Sequence, residues 1–309
     1  MRTLEMKIAD AGPLHLRVDP HILTRVRTAM VKAGHVRVID GLWYHRAITP
    51  RETIQQRLSE LRPLYRRTND PNFKLRLGQT LEIAILKALE SGPLEFVGGF
   101  LDLADHDDST LYRKEEPPLR FSGQRMPGDQ RFDFLAFHPT AGRIGIEAKN
   151  IREWIYPNRS EIKDLIRKAI TSNSLPVLVA RRLPYVTFRL LQTCGVMLFE
   201  NFNQLYPAAD ATLATDVRGK HLLGYHDVRA GNAPNKNLSD FLAQTIVRRA
   251  DEYRERFERY RDLLEQFADG DLYYAAFAAR VRRREQGTPE DSDEPMTPES
   301  VDPNDWNDF

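Results

Sequence analysis

Apolar residues recur along this chain in two rhythms. Helical spacing comes first: Ile22, Val26, Met30 and Val31 share one face over residues 20–34, and Gly34 serves as a stop. Alternation follows, with Val36, Val38, Leu42 and Tyr44 flanking Asp40-Gly41, a two-residue hairpin turn. A second helix is expected from about Thr49, with Pro50 in its first turn and Pro63 kinking or ending it. Residues 78–90 place Leu81, Ile85 and Leu89 on an apolar face with Glu82 beside it, and Gly92-Pro93 closes that helix. EFVGGFLDL reads as a short strand. RFDFLAFHP and RIGIEAKN read as two further strands joined by a turn at Pro139–Gly142. SEIKDLIRKAI then reads as a helix capped by Ser160, LPVLVARR as a fully buried strand, residues 185–193 as a helix and GVMLFENF as a strand.

Strands alternating with helices predict a mixed α/β sheet. The rest divides by pattern. Residues 1–76 form a basic module, 77–206 the sheet-bearing core, 207–285 a mostly helical C-terminal region and 286–309 an acidic tail without a core of its own. Residues 207–237 read as irregular, and helices are expected over about 239–268 and 271–284.

Charge changes the picture. The 309-residue chain has a net charge of +1, yet the tail holds eight acidic residues and no Lys or Arg, so the remainder stands at +9. Residues 1–76 alone carry 15 Lys and Arg against seven Asp and Glu. A basic body suits a polyanionic partner. Helix, hairpin and basic helix resemble a winged-helix module, where Arg25, Arg27, Lys32, Arg37 and Arg46 would face DNA. The alternative is a small helical cap on the next domain. No segment has the length of an apolar membrane span or the pattern of a signal peptide. Cys194 is the lone cysteine, which excludes an intrachain disulfide framework and fits a reducing cytosol, so a cytoplasmic location is expected.

The candidate chemistry lies on the two joined strands. In IGIEAK, Glu147 and Lys149 share a face, because strand residues two apart point the same way. Asp133 sits on the neighbouring strand, so Asp133 and Glu147 are able to meet across the pair and hold a hard divalent cation. Lys149 points at the same spot, where an ammonium would steady charge on a phosphate. Two other Glu-x-Lys pairs lack this setting: Glu5-x-Lys7 has no acidic strand before it, and Glu161-x-Lys163 falls on a helix. Asp129 competes with Asp133 but belongs to the preceding turn. Arg159, Lys163 and Arg167 are candidate phosphate holders, with a solvated basic helix face as the bland alternative. Asn150 either shapes the site or caps the strand, and Gln204 and Tyr206 are candidates for its border. His106, His138 and Cys194 lack zinc-ligand spacing.

Asp133, then Glu147-Ala148-Lys149, with Glu82 on an upstream helix, resembles the PD-(D/E)xK nuclease superfamily, which includes restriction endonucleases and archaeal Holliday-junction resolvases. The resemblance implies a restriction-endonuclease-like mixed sheet flanked by helices, over about residues 78–200. It implies an Mg²⁺-dependent (or Mn²⁺-dependent) phosphodiesterase acting on DNA. Asp133, Glu147 and the Ala148 carbonyl would bind the metal, Lys149 would be the catalytic lysine, and Glu82 would touch the metal or its water. Two alternatives stand beside this: an inactive DNA-binding or assembly protein with a nuclease-like fold, and a nuclease acting on RNA or single strands. The charged helix after Ser239 would suit a homodimer that pairs two sites.

Overall fold

The computed structural model describes residues 20–39, 42–45, 51–105, 107–121, 123–219 and 221–290. Helix α1 (Pro20–Lys32) leads into the hairpin β1 (Val36–Ile39) and β2 (Leu42–His45), followed by α2 (Arg51–Asn69). The hairpin turn Asp40-Gly41, Arg46 and the tail from 291 lie outside the described residues. Pro63 lies inside α2, so of the two expected outcomes, a kink or an end, it does not end the helix. Leu58 and Leu64 are buried on either side of it, and Leu64 packs with Phe73, Leu77 and Tyr206. That tertiary packing carries the helix across the missing N–H.

Helix α3 (Pro71–Glu90) starts seven residues before the expected Gly78. The signal is the Asp70-Pro71 pair. The Asp70 carboxylate accepts from the Phe73 amide at 2.9 Å, and Pro71 needs no amide partner in the first turn. The helix is buried on most sides from Gln79 to Leu89, which is why a narrow apolar stripe understates it.

Short strands β3 (Glu95–Val97), β4 (Gly99–Phe100), β5 (Lys114–Glu115), β6 (Arg120–Phe121) and β7 (Gln124–Arg125) precede the main pair, β8 (Phe134–His138) and β9 (Gly142–Lys149). Then come α4 (Ser160–Ser172), β10 (Leu175–Ala180), α5 (Tyr185–Thr193), β11 (Met197–Glu200) and β12 (Gln204–Tyr206). The central sheet has five strands in the order β11-β10-β9-β8-β3. The β9, β10 and β11 strands run parallel, while β8 runs antiparallel to both β9 and β3. The protein is therefore α/β, with a mixed sheet flanked by helices.

Every residue of β10 is buried, because both faces of the sheet are covered. Leu175, Val177 and Val179 face a cluster containing Leu81, Ile85 and Leu89 of α3, while Leu178 and Ala180 face Ile162, Leu165 and Ala169 of α4. Each large side chain buried there contributes roughly 1.5–3 kcal/mol.

The region expected to be irregular holds α6 (Ala211–Arg218) and β13 (Val228–Ala230), the latter parallel to β12. Beyond it lie α7 (Lys236–Asp240), a wide helical turn at Phe241–Thr245, α8 (Ile246–Arg259), α9 (Arg261–Asp269) and α10 (Tyr274–Gln286). The apolar stripe of α8 is buried inside the chain: Ile246, Ala250 and Tyr253 join the α3 side of the core and Phe257 the α4 side. Only its charged face is left for a second copy. No helix among the described residues is long and apolar enough to cross a membrane.

Candidate active site

The site lies where β8 and β9 stop pairing. The Asp133 amide donates to the Ile146 carbonyl at 3.1 Å, the last backbone rung. The Asp133 carboxylate then supplies the next rung, with Oδ2 accepting from the Ala148 amide at 2.8 Å. The Lys149 carbonyl accepts from Arg181 on the β10 side. Carbonyls alternate along a strand, so the Ala148 carbonyl points the other way, toward Asp133.

Two glycines allow this geometry. Gly98 has a φ of +112°, and a Cβ there would lie 2.7 Å from the Asp133 carbonyl oxygen. Gly145 on β9 receives the Phe132 ring, whose nearest carbon would stand 2.3 Å from an added Cβ. Phe132 is buried and immediately precedes Asp133, so the missing side chain at Gly145 fixes where that acid sits.

Five further charged side chains gather there. Lys149 Nζ lies 2.6 Å from Glu147 Oε1, so the pair shares a face as the strand period requires. Lys168 of α4 contacts the other Glu147 oxygen at 2.5 Å and donates to the Arg131 carbonyl at 2.9 Å. Lys114 of β5 bridges Glu82 Oε2 at 2.8 Å and Asp133 Oδ1 at 3.1 Å. Gln79, one helical turn before Glu82, fixes Lys114 indirectly by pairing with both the amide and the carbonyl of Tyr112, each at 2.9 Å.

The electrostatics follow from burial and proximity. Burial, then the Asp133 charge, pushes the Glu82 carboxyl up to about 7 against the pull of Lys114 and Lys149. Burial also acts to raise Asp133, but Lys114, Lys149 and the Ala148 amide outweigh it and hold it below the usual carboxylate range. For Lys149, burial acts to lower the ammonium, and the charges of Glu147 and Asp133 overcome it, so the group is held above its usual value.

The structure thus brings Asp133, Glu147 and Lys149 together with Glu82 of α3, although Asp133 lies one residue ahead of β8 and not on the strand as expected. It does so as an interleaved ion-pair cluster. Among the described residues, no three His, Cys, Asp or Glu side chains are gathered as a metal cage. The donor chemistry nevertheless suits a hard divalent cation, since every acid present offers carboxylate oxygens. Glu82 Oε2 is buried with no aligned hydrogen-bond donor, although Lys114 lies within ionic range.

Other candidates divide. Asp129 forms a two-pronged pair with Arg125 in the turn, away from the carboxylate cluster. Arg159 pairs with Glu161, whose carboxyl is held down by that arginine and, more weakly, by Lys149, so this pair borders the site. Lys163 and Arg167 face α9 instead. Lys163 lies over the Phe267 ring at 5.1 Å, and Arg167 pairs with Asp164 and Asp269. Arg25, Lys32 and Arg37 are exposed on α1 and the hairpin, and Arg27 is half-buried. The His138 ring accepts from the Thr140 and Ala141 amides and shapes the β8–β9 turn, and Cys194 is buried. His106 lies outside the described residues.

Sequence reasoning missed Lys168 and Lys114. Lys168 had a signal: it falls among Leu165, Ala169 and Ser172 on the buried stripe of α4, where a charge needs a partner. Lys114 sits in a two-residue strand within a polar loop and had none. Asn150 is buried. It donates to the carbonyls of Leu77 and Leu205 and accepts from the Leu205 amide, tying the residue after Lys149 to α3 and β12.

Comparison with protein-family models, with curated proteins and with solved structures returns no match. The chemistry of the site is therefore read from its own residues.

Proposed function

We propose that this chain is a metal-dependent nuclease of the PD-(D/E)xK type that hydrolyses DNA phosphodiester bonds, as an endonuclease of restriction, defence, recombination or repair. One observation carries the reading: Asp133, Glu147 and Lys149 converge at the open end of the β8–β9 pair, with Asp133 bonded to the amide of Ala148. Asp133, Glu147 and the Ala148 carbonyl would hold Mg²⁺ or Mn²⁺, with Glu82 behind them. The bound ion lowers the pKa of its water and polarises a phosphoryl oxygen. Lys149 stays protonated beside Glu147 and Asp133, so its role is that of a donor and counter-charge to the phosphate, not of a base. The basic surface of α1 and the hairpin, with Arg25, Arg27, Lys32 and Arg37, would hold the DNA backbone. Arg46 would join it.

The test is plasmid cleavage by the full chain with Mg²⁺ or Mn²⁺, repeated for Lys149→Ala and Asp133→Ala. Cutting by the wild type and its loss in both variants supports the reading. Undiminished cutting in both removes the site assignment. A second reading draws on the three lysines that neutralise the acids: a DNA-binding protein with a nuclease-like but inactive fold. It predicts salt-dependent DNA binding without cleavage.

A further inference from the structure

A cavity of about 280 Å³ opens between the C-terminal end of α2, the start of α3 and the segment that follows Lys149. Its wall includes Ile151, two residues beyond Lys149, so the cavity begins within roughly 7 Å of that lysine's backbone. Tyr65, Lys74, Arg152, Gln204, Tyr206 and Tyr225 line it.

The lining is built rather than incidental. Arg152 lies over the Tyr225 ring at 3.9 Å, forming a flat cationic and aromatic surface. That guanidinium is held by Gln204 at 3.0 Å and by Asp227 at 2.8 Å, and Arg181 grips the other Asp227 oxygen at 2.9 Å. Gln204 also donates to the Asn150 carbonyl, so the cavity floor and the backbone beside Lys149 form one buried network. Tyr206 is buried in the wall, its ring edge-on to Phe73 with centroids 5.1 Å apart. At the mouth, Tyr65 is 48% exposed and lines the cavity, so its ring face is open to a ligand entering there. Lys74 and Glu153 also line the mouth and face each other at 3.8 Å, so the rim offers an ammonium beside a carboxylate.

A tyrosine ring at the mouth and a guanidinium–aromatic floor with amide groups behind it match the flat face and polar edge of an unstacked nucleobase. We propose that this cavity receives one base of the strand whose phosphate lies at Asp133, Glu147 and Lys149, with Tyr65 stacking on it at the entrance. This inference rests on the nucleic-acid reading of the site. It favours sites where a base readily leaves the stack: single strands, ends, distorted duplexes and the locally unpaired stretches of a supercoiled plasmid.

The test uses the full chain with a short oligonucleotide in which 2-aminopurine is moved one position at a time. Ca²⁺ replaces Mg²⁺ during binding, and cleavage of both plasmid and the same oligonucleotide in Mg²⁺ is run alongside. The expected result is a fluorescence change at one position only. Tyr65→Ala should abolish that change and weaken binding roughly tenfold, while Tyr65→Trp keeps both. A matched thermal melt confirms that the exposed substitution leaves the fold intact. A signal that is flat at all positions, or wild-type binding by Tyr65→Ala, overturns the inference. If the protein still cuts in that case, the nuclease reading survives. If it neither cuts nor binds, both fall.

Discussion

Gly145→Ala probes the link between strand packing and the site. The added methyl would stand 2.3–2.6 Å from three carbons of the Phe132 ring, where carbon atoms normally rest at about 3.5–4.0 Å. The ring must retreat by more than about 1 Å. It has little room, because Phe132 is 2% exposed and packed in a cluster with Met126, Ile162 and Leu165, with the Lys168 ammonium 4.9 Å from its centre. Overpacking of this kind costs about 1–3 kcal/mol. Asp133 follows Phe132 directly, so the displacement passes to the acid, and a shift near 1 Å at a catalytic group lowers turnover by about 10²-fold. Thermal denaturation and plasmid cleavage measure the two effects. The expected outcome is a fall of several degrees in Tm together with a far larger loss of cutting. Trimming the ring in Gly145→Ala/Phe132→Leu should recover stability relative to Gly145→Ala alone, a non-additivity expected of touching residues. A Gly145→Ala protein that melts and cuts like the wild type would refute the reasoning.

Further outcomes follow from the same contacts. Lys168→Met removes one partner of Glu147 and leaves the Arg131 carbonyl without its donor. A loss of about 1–3 kcal/mol is expected in denaturant unfolding, and an unchanged midpoint would show that this lysine is not part of the support. Asp227→Asn leaves Arg152 and Arg181 without their shared counter-ion, so a loss of about 3–5 kcal/mol is expected at neutral pH. Burial acts to raise the Asp227 carboxyl, but the two arginines hold it below its usual value. Its stabilisation is therefore complete above about pH 4 and fades as pH falls through the depressed folded value. The acid-side slope of wild-type stability should flatten in Asp227→Asn, and two parallel curves would count against the ion pair. Millimolar Mg²⁺ should raise the Tm of the wild type and not that of Asp133→Ala, a readout independent of cutting. Equal shifts in both would place the ion elsewhere.

Local chemistry made part of this protein legible. Period-two alternation identified β8 and β9 and put Glu147 and Lys149 on one face, because a strand leaves its side chains no other choice. Continuous apolar content identified β10, and helical spacing identified α4. The sequence also contained the true start of α3, in Asp70-Pro71, and the oddity of Lys168 on an apolar stripe. What only the tertiary structure decided is who stands between the acids. Lys114 comes from a two-residue strand just after Tyr112, which Gln79 holds across 33 positions, and Lys168 reaches Glu147 across 21. Asn150 joins α3 and β12 from 73 and 55 positions away. Pairings of that separation leave no periodic trace, since each residue satisfies its own helix or strand while its side chain answers to the burial imposed by distant segments. The same holds for Pro63, where buried leucines on both sides carry α2 past a residue that local rules expect to stop it.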